Sequence, residues 1–349
     1  MPYTRFTWPL EAPWQRQPMF AIAPVALVAS HALVAGIWAD DQQHVIAVGK
    51  QGRAFASDDG GKTWMPEPAP TKASFLAVWS DGAGHTIAVG DGGVIAQQTG
   101  QTWTVQTLAH KLTLRAVWGA GKDVYAVGGD RDTGVIAMSG DSGAHWSHIL
   151  VHDTILTAVG GSDAEHVRAV GTQGAIYGTD NGSWWQPIVT PVIVHTGNDS
   201  TMTSNPLVLD DYHDVRFDHG TWLATGEIGY VVESKDGHTW HQLESQWAVH
   251  GMAFHRGGDV VLVGPVERSV LHGGAWKSDD LYPPANLGTI FRTPSGVLYS
   301  AAYHGGMTAN PRYYSNAGCQ GCPAYIDVPW SGAVMKSIDD GVTWTLLTK

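Results

Sequence analysis

The sequence predicts an all-β fold, a seven-bladed β-propeller built from four-stranded antiparallel blades. Three observations support this. The 349 residues include 43 glycines and 18 prolines, and this density of turn-forming residues favours many short strands over long helices. A tryptophan-containing unit recurs seven times, with a period of roughly 40 residues that is typical of propeller blades. Within each unit, short runs of apolar residues alternate with glycine-rich turns, as in antiparallel meanders.

The repeat is clearest in its first two copies. Segment 38–49, WADDQQHVIAVG, aligns without a gap to segment 79–90, WSDGAGHTIAVG. A second tryptophan follows in every copy, and these seven residues are Trp64, Trp103, Trp146, Trp185, Trp240, Trp276 and Trp344. Such a repeat indicates one structural unit that buries its apolar faces against its neighbours.

Each unit is predicted to form four strands, A to D. In the first unit, strand A ends near Trp38, and a Gly/Asp turn leads to strand B at 45–48. A tight turn leads to strand C at 53–56, and a polar loop precedes strand D, which begins at Trp64. One such sheet would expose both apolar faces, whereas a closed ring of seven buries them and leaves few open strand edges.

The repeat also predicts the domain organisation. Residues 1–29 are expected to form an N-terminal extension, and residues 30–349 one propeller domain. Insertions interrupt the repeat at 188–211 and 305–331. The blades are expected near 30–70, 71–108, 109–150, 151–188, 212–245, 246–279 and 287–349.

The loops between strands C and D carry a family resemblance. Segments Ser57–Trp64 (SDDGGKTW) and Ser337–Trp344 (SIDDGVTW) both fit the pattern S-x-D-x-G-x-T-W, and 139–146 fits with histidine at the Thr position. The chain therefore resembles Asp-box (BNR) repeat propellers of the sialidase-like and Ycf48-like superfamily. The resemblance implies the propeller fold and a structural role for the box residues Asp59 and Asp339.

The resemblance does not extend to sialidase catalysis. Sialidases of this superfamily carry a Phe/Tyr-Arg-Ile-Pro start motif and an arginine triad, and this chain has no such motif and no motif-placed arginine. Sialidase activity is therefore not expected. The Ycf48-like relatives imply another role, as a factor in protein assembly.

Charge excludes several classes of partner. Twenty Lys and Arg against 32 Asp and Glu give a formal charge of -12, so we expect no binding to nucleic acid or to anionic membranes. The charge-free stretch Met19–Ala39 contains Pro24, His31 and Gly36, and its second half matches strand A of the first repeat. We therefore expect no membrane span, no signal peptide and a soluble chain, in the cytoplasm rather than exported.

Several histidines are predicted to share one face of the ring. In a propeller the D–A and B–C connections lie on one face, here named the D–A face. Six histidines map to this face, and they are His31, His110, His152, His213, His250 and His304. Imidazoles that converge there could bind one transition metal, Cu, Fe or Zn. The alternative is that they are ordinary hydrogen-bonded strand and loop residues.

One acidic residue could act beside such a metal. Glu227 lies in a predicted B–C turn, close to His213 in the repeat, and could serve as general base towards a metal-bound water. It could equally be a solvated turn residue. No glycine-rich loop is followed by a helix, so no nucleotide cofactor is expected.

The two insertions are predicted to shape a pocket over the channel mouth. Aromatic and acidic residues there form one candidate group, and its members are Asp211, Tyr303, Tyr313, Tyr314, Tyr325 and Trp330. Cys319 and Cys322 lie in the second insertion, where they could form a disulfide, remain free thiols or contribute to a metal site.

These observations lead to one main hypothesis and its alternatives. The main hypothesis is a ligand-binding propeller with a histidine-lined, metal-containing site at the channel mouth, which acts as a metalloenzyme on a small molecule. The alternatives are a non-catalytic propeller that binds a glycan or a protein, and a Ycf48-like assembly factor. The sequence leaves open whether the protein is an enzyme.

Overall fold

Seven four-stranded antiparallel sheets make up the computed structural model and confirm the predicted seven-bladed propeller. Within the described residues, no helix is long and apolar enough to cross a membrane. The structure describes residues 34–68, 71–100, 102–188, 211–226, 231–243, 251–264, 267–281, 283, 286–309 and 325–347, with the backbone alone at 68, 280, 286, 303–309 and 325–331.

Each blade is a meander whose strands pair in chain order. Blades one to four contain β1 (Val34–Ala39), β2 (Val45–Gly49), β3 (Arg53–Ser57), β4 (Met65–Pro68), β5 (Phe75–Ser80), β6 (His85–Gly90), β7 (Val94–Thr99), β8 (Thr102–Thr107), β9 (Leu114–Ala120), β10 (Asp123–Asp130), β11 (Thr133–Ser139), β12 (Ser147–His152), β13 (Leu156–Gly161), β14 (His166–Gly171), β15 (Ile176–Asp180) and β16 (Gln186–Ile188).

The remaining three blades follow the same order. They contain β17 (Tyr212–Asp218), β18 (Thr221–Gly226), β19 (Val231–Ser234), β20 (His241–Leu243), β21 (Met252–Arg256), β22 (Asp259–Val263), β23 (Glu267–His272), β24 (Ala275–Asp280), β25 (Asn286–Arg292), β26 (Leu298–Ala309), β27 (Tyr325–Ser337) and β28 (Thr345–Leu346).

Strand A is the innermost strand of every blade. It forms one edge of each sheet, and it contacts strand A of the neighbouring blade around the ring. The core lies between the blades, where strands A to C bury Val, Ile, Ala and aromatic side chains. Blade seven is one continuous stretch of chain, and it meets blade one through the Thr289 hydroxyl, which donates to Ala35 O (2.9 Å), and through Ser295 N, which donates to Asp41 (3.0 Å).

The C–D loops are held by a carboxylate. Asp59 accepts the backbone N–H groups of Lys62 and Thr63 (both 2.9 Å) and the hydroxyls of Thr63 (2.7 Å) and Ser57 (2.8 Å). Burial raises the pKa of Asp59, but these hydrogen bonds outweigh it and hold the pKa below the ordinary 3.8. The same bonding recurs at Asp141, Asp236 and Asp339, so the carboxylate shapes the loop in blades three, five and seven as well.

The glycine within each of these loops packs on the preceding blade. A Cβ on Gly143 would come within 2.6 Å of Ile87, one on Gly341 within 2.8 Å of Val263, and one on Gly61 within 2.5 Å of Leu347. All three have positive φ, which glycine adopts readily. The absent side chain therefore sets how closely neighbouring blades approach.

Blade five shows this contact with a buried charge. Arg168 of blade four is 1% exposed, and its Nε donates to Gly237 O in the C–D loop of blade five (2.8 Å). Its other nitrogens donate to Thr179 O and to Asp180 (both 2.8 Å). A buried guanidinium that is bonded on every side cannot move without leaving polar atoms unsatisfied.

The second predicted insertion differs from the expected loop. β26 and β27 are 12 and 13 residues long, and their pairing continues to Ala309 and Tyr325. Strands B and C of blade seven therefore extend past the sheet as a two-stranded ribbon. Of the first insertion, 188–211, only the two end residues are described. The N-terminal extension, residues 1–29, lies wholly outside the described residues.

Replacing Gly237 with alanine should be much more destabilising than replacing Gly220. Both glycines have positive φ, so each substitution costs about 1 kcal/mol in backbone conformation. A Cβ at Gly220 meets nothing within 4 Å, whereas one at Gly237 comes within 2.5 Å of Arg168. We expect a further loss of about 1–3 kcal/mol for Gly237→Ala, measured by chemical denaturation. Equal losses for the two variants would contradict a steric role for this glycine.

Candidate functional site

A β-bulge recurs at one position of strand A. The pairing of strands A and B shifts register in six blades, and in blade six the described pairing, which begins at Met252, is regular. One bulged residue per blade results in blades one to five, and a pair results in blade seven. These residues are Ala35, Leu76, Arg115, Thr157, His213, Gly288 and Thr289.

These bulged residues are less buried than the residues that precede them in strand A. The residue before each of them is buried, as with Leu114 before Arg115 and Tyr212 before His213, whereas the bulged residues are half-buried or exposed. A bulge re-aims a side chain out of the regular pleat. Because strand A is innermost and the bulge lies near its start, the residues form a ring at the D–A mouth, here named the channel ring.

Arg115 brings a positive charge to the channel ring. Its Nη2 lies 3.3 Å from Gly129 O and 3.7 Å from the Asp130 carboxylate, and its side chain is 38% exposed. Its Nε is buried, with no hydrogen-bond partner among the described atoms. Asp130 also accepts the N–H of Thr113 (2.8 Å), which ties it to the D–A connection. The guanidinium thus has donor capacity left for a ligand.

Two threonine hydroxyls of the channel ring join neighbouring blades. Thr157 donates to Tyr212 O in blade five, and Thr289 donates to Ala35 O in blade one. The ring therefore combines a rigid, hydrogen-bonded frame with side chains of different chemistry. Ala35 and Leu76 are apolar and adjacent, while Arg115 and His213 are polar.

An ion pair lies deeper in the channel. Arg216 Nε is 2.5 Å from Asp214 Oδ2, and its Nη2 donates to Ile290 O of blade seven (3.1 Å). Both side chains are about three-quarters buried, at 26% and 24% exposure. The bulge register places Arg216 three residues after His213, where Trp118 stands three after Arg115. Arg216 of blade five therefore occupies the position of the repeat tryptophan, and it contacts blade seven, which is not the next blade in the ring.

A second charged group lies at the opposite end of strand A. Asp218 accepts His255 N (2.6 Å) and contacts the His219 ring (2.8 Å), with Arg292 Nη1 at 3.8 Å. Burial raises the pKa of Asp218, but the hydrogen bonds from His255 and His219 hold it well below its ordinary value. This carboxylate connects blades five, six and seven.

The structure describes the side chains of three of the six predicted histidines. His213 is in the channel ring, half-buried. His110 and His152 are exposed in blade three, and the His110 ring contacts His148 at 5.2 Å. His31, His250 and the side chain of His304 lie outside the described residues. Within the described part of the chain, no three His, Cys, Asp or Glu lie close enough to hold a metal ion.

The other predicted residues are only partly described. Asp211 accepts the N–H of Gln173 (2.8 Å) and so stabilises the B–C turn of blade four. The backbones of Tyr325 and Trp330 lie in the ribbon of blade seven, and that of Tyr303 pairs with Asn286 within the sheet. Outside the described residues lie Glu227, Tyr313, Tyr314, Cys319 and Cys322.

Arg115, Asp214 and Arg216 were not among the predicted residues. A signal for the first exists in the sequence, because Ala35, Leu76 and Arg115 each stand three residues before a repeat tryptophan. The residue type varies at this position while its neighbours stay apolar. The bulge that turns it towards the channel has no signature of its own in the sequence.

Comparison with solved structures supports the fold. The chain is similar to Ycf48 bound to a D1 peptide (18% identity, TM-score 0.58, covering 79% of this chain and 90% of that one) and to Ycf48 from Cyanidioschyzon merolae (16%, 0.55, 78% and 92%). It is also similar to the WD40 repeats of RRP9 (10%, 0.59, 79% and 89%). No protein-family model and no curated protein matches the chain in sequence. These likenesses show a shared propeller fold.

Acid should selectively remove the contribution of Asp218. Because the folded-state pKa is depressed, the charge stabilises the fold above the ordinary pKa of 3.8, and this stabilisation is lost as pH falls through the lower folded value. Asp218→Asn should therefore lower the thermal midpoint at neutral pH, and the difference from the unsubstituted protein should shrink below about pH 4. Asp132→Asn, at an exposed turn, is the control. A pH-independent difference would contradict the electrostatic role.

Proposed function

We propose that the chain is a non-catalytic binding propeller that holds a segment of a partner protein at the D–A mouth of its channel. The observation that carries this proposal is the channel ring, in which one strand position differs in chemistry from blade to blade. The buried residues beside it are apolar in each blade. A strand position that varies in chemistry beside a buried, apolar residue is typical of a recognition surface on a constant scaffold.

The chemistry of the ring suits a peptide. Leu76 and Ala35 give an apolar side, while Arg115 and His213 give hydrogen-bonding groups on the other side. A peptide offers carbonyl and side-chain acceptors beside apolar groups, and a ring of mixed character can bind both. A sugar is usually bound by stacking on aromatic rings, and no described residue of the channel ring is aromatic. A glycan therefore has less support than a peptide.

One structural comparison points the same way. Ycf48, which shares the fold, is described with a bound D1 peptide. The C–D loops support the similarity to Ycf48-like propellers, because Asp59 and its counterparts accept the loop N–H groups and so have the structural role that the Asp-box resemblance implies. We propose that the chain is an Asp-box propeller with a Ycf48-like role, in which it holds a segment of another protein during assembly.

Selection from a random linear peptide library, displayed on phage, tests this proposal. Peptides enriched on the full chain should bind at micromolar affinity, and Arg115→Ala and His213→Ala should each weaken binding about tenfold. Lys122→Ala removes an exposed charge at an A–B turn on the other face and serves as the matched control. An absence of enriched peptides would refute the proposal, as would peptides that bind the ring variants unchanged.

A histidine-bound transition metal is the second candidate, favoured by the position of His213 in the channel ring. The residues that would complete such a site, His250 and His304, share the D–A face in the repeat alignment. Elemental analysis of protein purified without an affinity tag, after incubation with Cu, Fe or Zn, should then show one metal per chain. His213→Ala should abolish that metal. Substoichiometric metal in the unsubstituted protein would exclude this candidate.

A further inference from the structure

We propose that the ribbon of blade seven binds an extended, basic segment of a different polypeptide by strand addition along its β26 edge. The ribbon is named here the blade-seven arm, residues 305–309 and 325–331. The proposal rests on the proposed protein-binding function and names how the partner is held. It is argued from backbone pairing and sequence alone.

Within the described residues, no strand pairs with either outer edge of the arm. Within the arm, β26 and β27 pair with each other from Gly306↔Val328 to Ala309↔Tyr325. The pairing of β25 with β26 ends at Tyr303, and β28 pairs with β27 only at Met335 and Lys336. No other described strand joins this sheet. Each arm strand therefore presents one row of backbone groups without a described partner.

The two edges differ in their capacity to accept a strand. The β27 edge contains Pro329, which has no N–H, and a register shift leaves Pro329 and Trp330 opposite the single residue Gly305. Proline and bulges are devices that block edge pairing in natural sheets. The β26 edge, GGMTA at 305–309, has no proline, no charge and no bulky β-branched residue other than Thr308. The β27 edge is therefore poorly suited to accept a strand, whereas the sequence of the β26 edge allows strand addition.

The β26 edge is long enough for specific pairing. Five residues of strand span about 17 Å, at roughly 3.3 Å per residue. Successive residues point their backbone groups to opposite edges, so about half of them offer N–H and C=O groups to an added strand. Binding by strand addition takes its affinity from main-chain hydrogen bonds and tolerates many sequences.

Charge decides which chain the arm accepts. The formal charge of -12 makes two copies of this chain repel each other, whereas a basic segment is attracted. The arm also begins directly after His304 in β26, and it extends from the end of blade seven that lies on the D–A face. A partner segment that enters the ring can therefore run on along β26.

N-methyl scanning of the enriched peptides tests this geometry. Methylation of one backbone nitrogen at a time removes single donors. Strand addition predicts a period of two, in which alternate positions lose about tenfold in affinity while the intervening positions lose little. The enriched sequences should be basic and alternate with β-branched residues.

A variant without the arm provides the second measurement. An Asn-Gly turn that replaces residues 305–330 and joins His304 to its pairing partner Ser331 keeps the remaining β26–β27 pairs and favours a tight hairpin. The variant should unfold at an unchanged temperature and bind the peptides at least tenfold more weakly. If the variant does not fold, the N-methyl period alone decides.

The outcomes separate this inference from the proposed function. Peptides that need Arg115 and His213 but not the arm overturn the inference and leave the ring proposal intact. Peptides that need the arm but not the ring support the inference and contradict the ring. Peptides that need neither, or no enriched peptides, refute both. A concentration-dependent dimer that the peptides dissociate would show that a second copy, not a foreign segment, occupies the edge.

Discussion

The ring depends on one contact, in which the C–D loop of a blade inserts a glycine into the blade before it. Gly61, Gly143, Gly237 and Gly341 all make this contact with positive φ and no room for a Cβ. The loops keep that shape because a carboxylate such as Asp59 gathers the N–H groups around it. Close-packed interiors transmit such constraints, so the spacing at these loops sets the spacing of all seven inner strands.

Because contacts between the blades hold the ring rigid, the residues at the channel mouth can differ in chemistry from blade to blade. The inner strands of blades one to five begin at the D–A face with the same one-residue bulge, and the bulged residue differs in chemistry from blade to blade. Arg115, Thr157 and His213 therefore occupy equivalent positions without sharing a structural duty. On the opposite face, Asp218 does have a structural role, because its carboxylate contacts residues of three blades. The D–A mouth is thus the face on which recognition can change at little cost in stability.

Much of this architecture can be predicted from the sequence, because the repeated tryptophans and turn glycines favour the same local structure in every blade. The position of His213 near the start of an inner strand follows from the repeat alone. Arg216 shows the limit of that reading, because the aromatic residue at this point of the sequence is its neighbour Phe217, whereas the bulge register puts Arg216 at the tryptophan position. In the second insertion, composition suggested a loop, whereas 306–309 and 325–328 are paired strands.

By itself the sequence determined the seven-bladed fold and the strand order within each blade. These features follow from local periodicity, turn chemistry and the need to bury apolar faces. Only the tertiary structure decided which contacts form between blades, such as that of Arg216 with Ile290 O, and how far the pairing of β26 with β27 extends. Those outcomes depend on bulges and on contacts between residues far apart in the chain, and neither leaves a local pattern in the sequence.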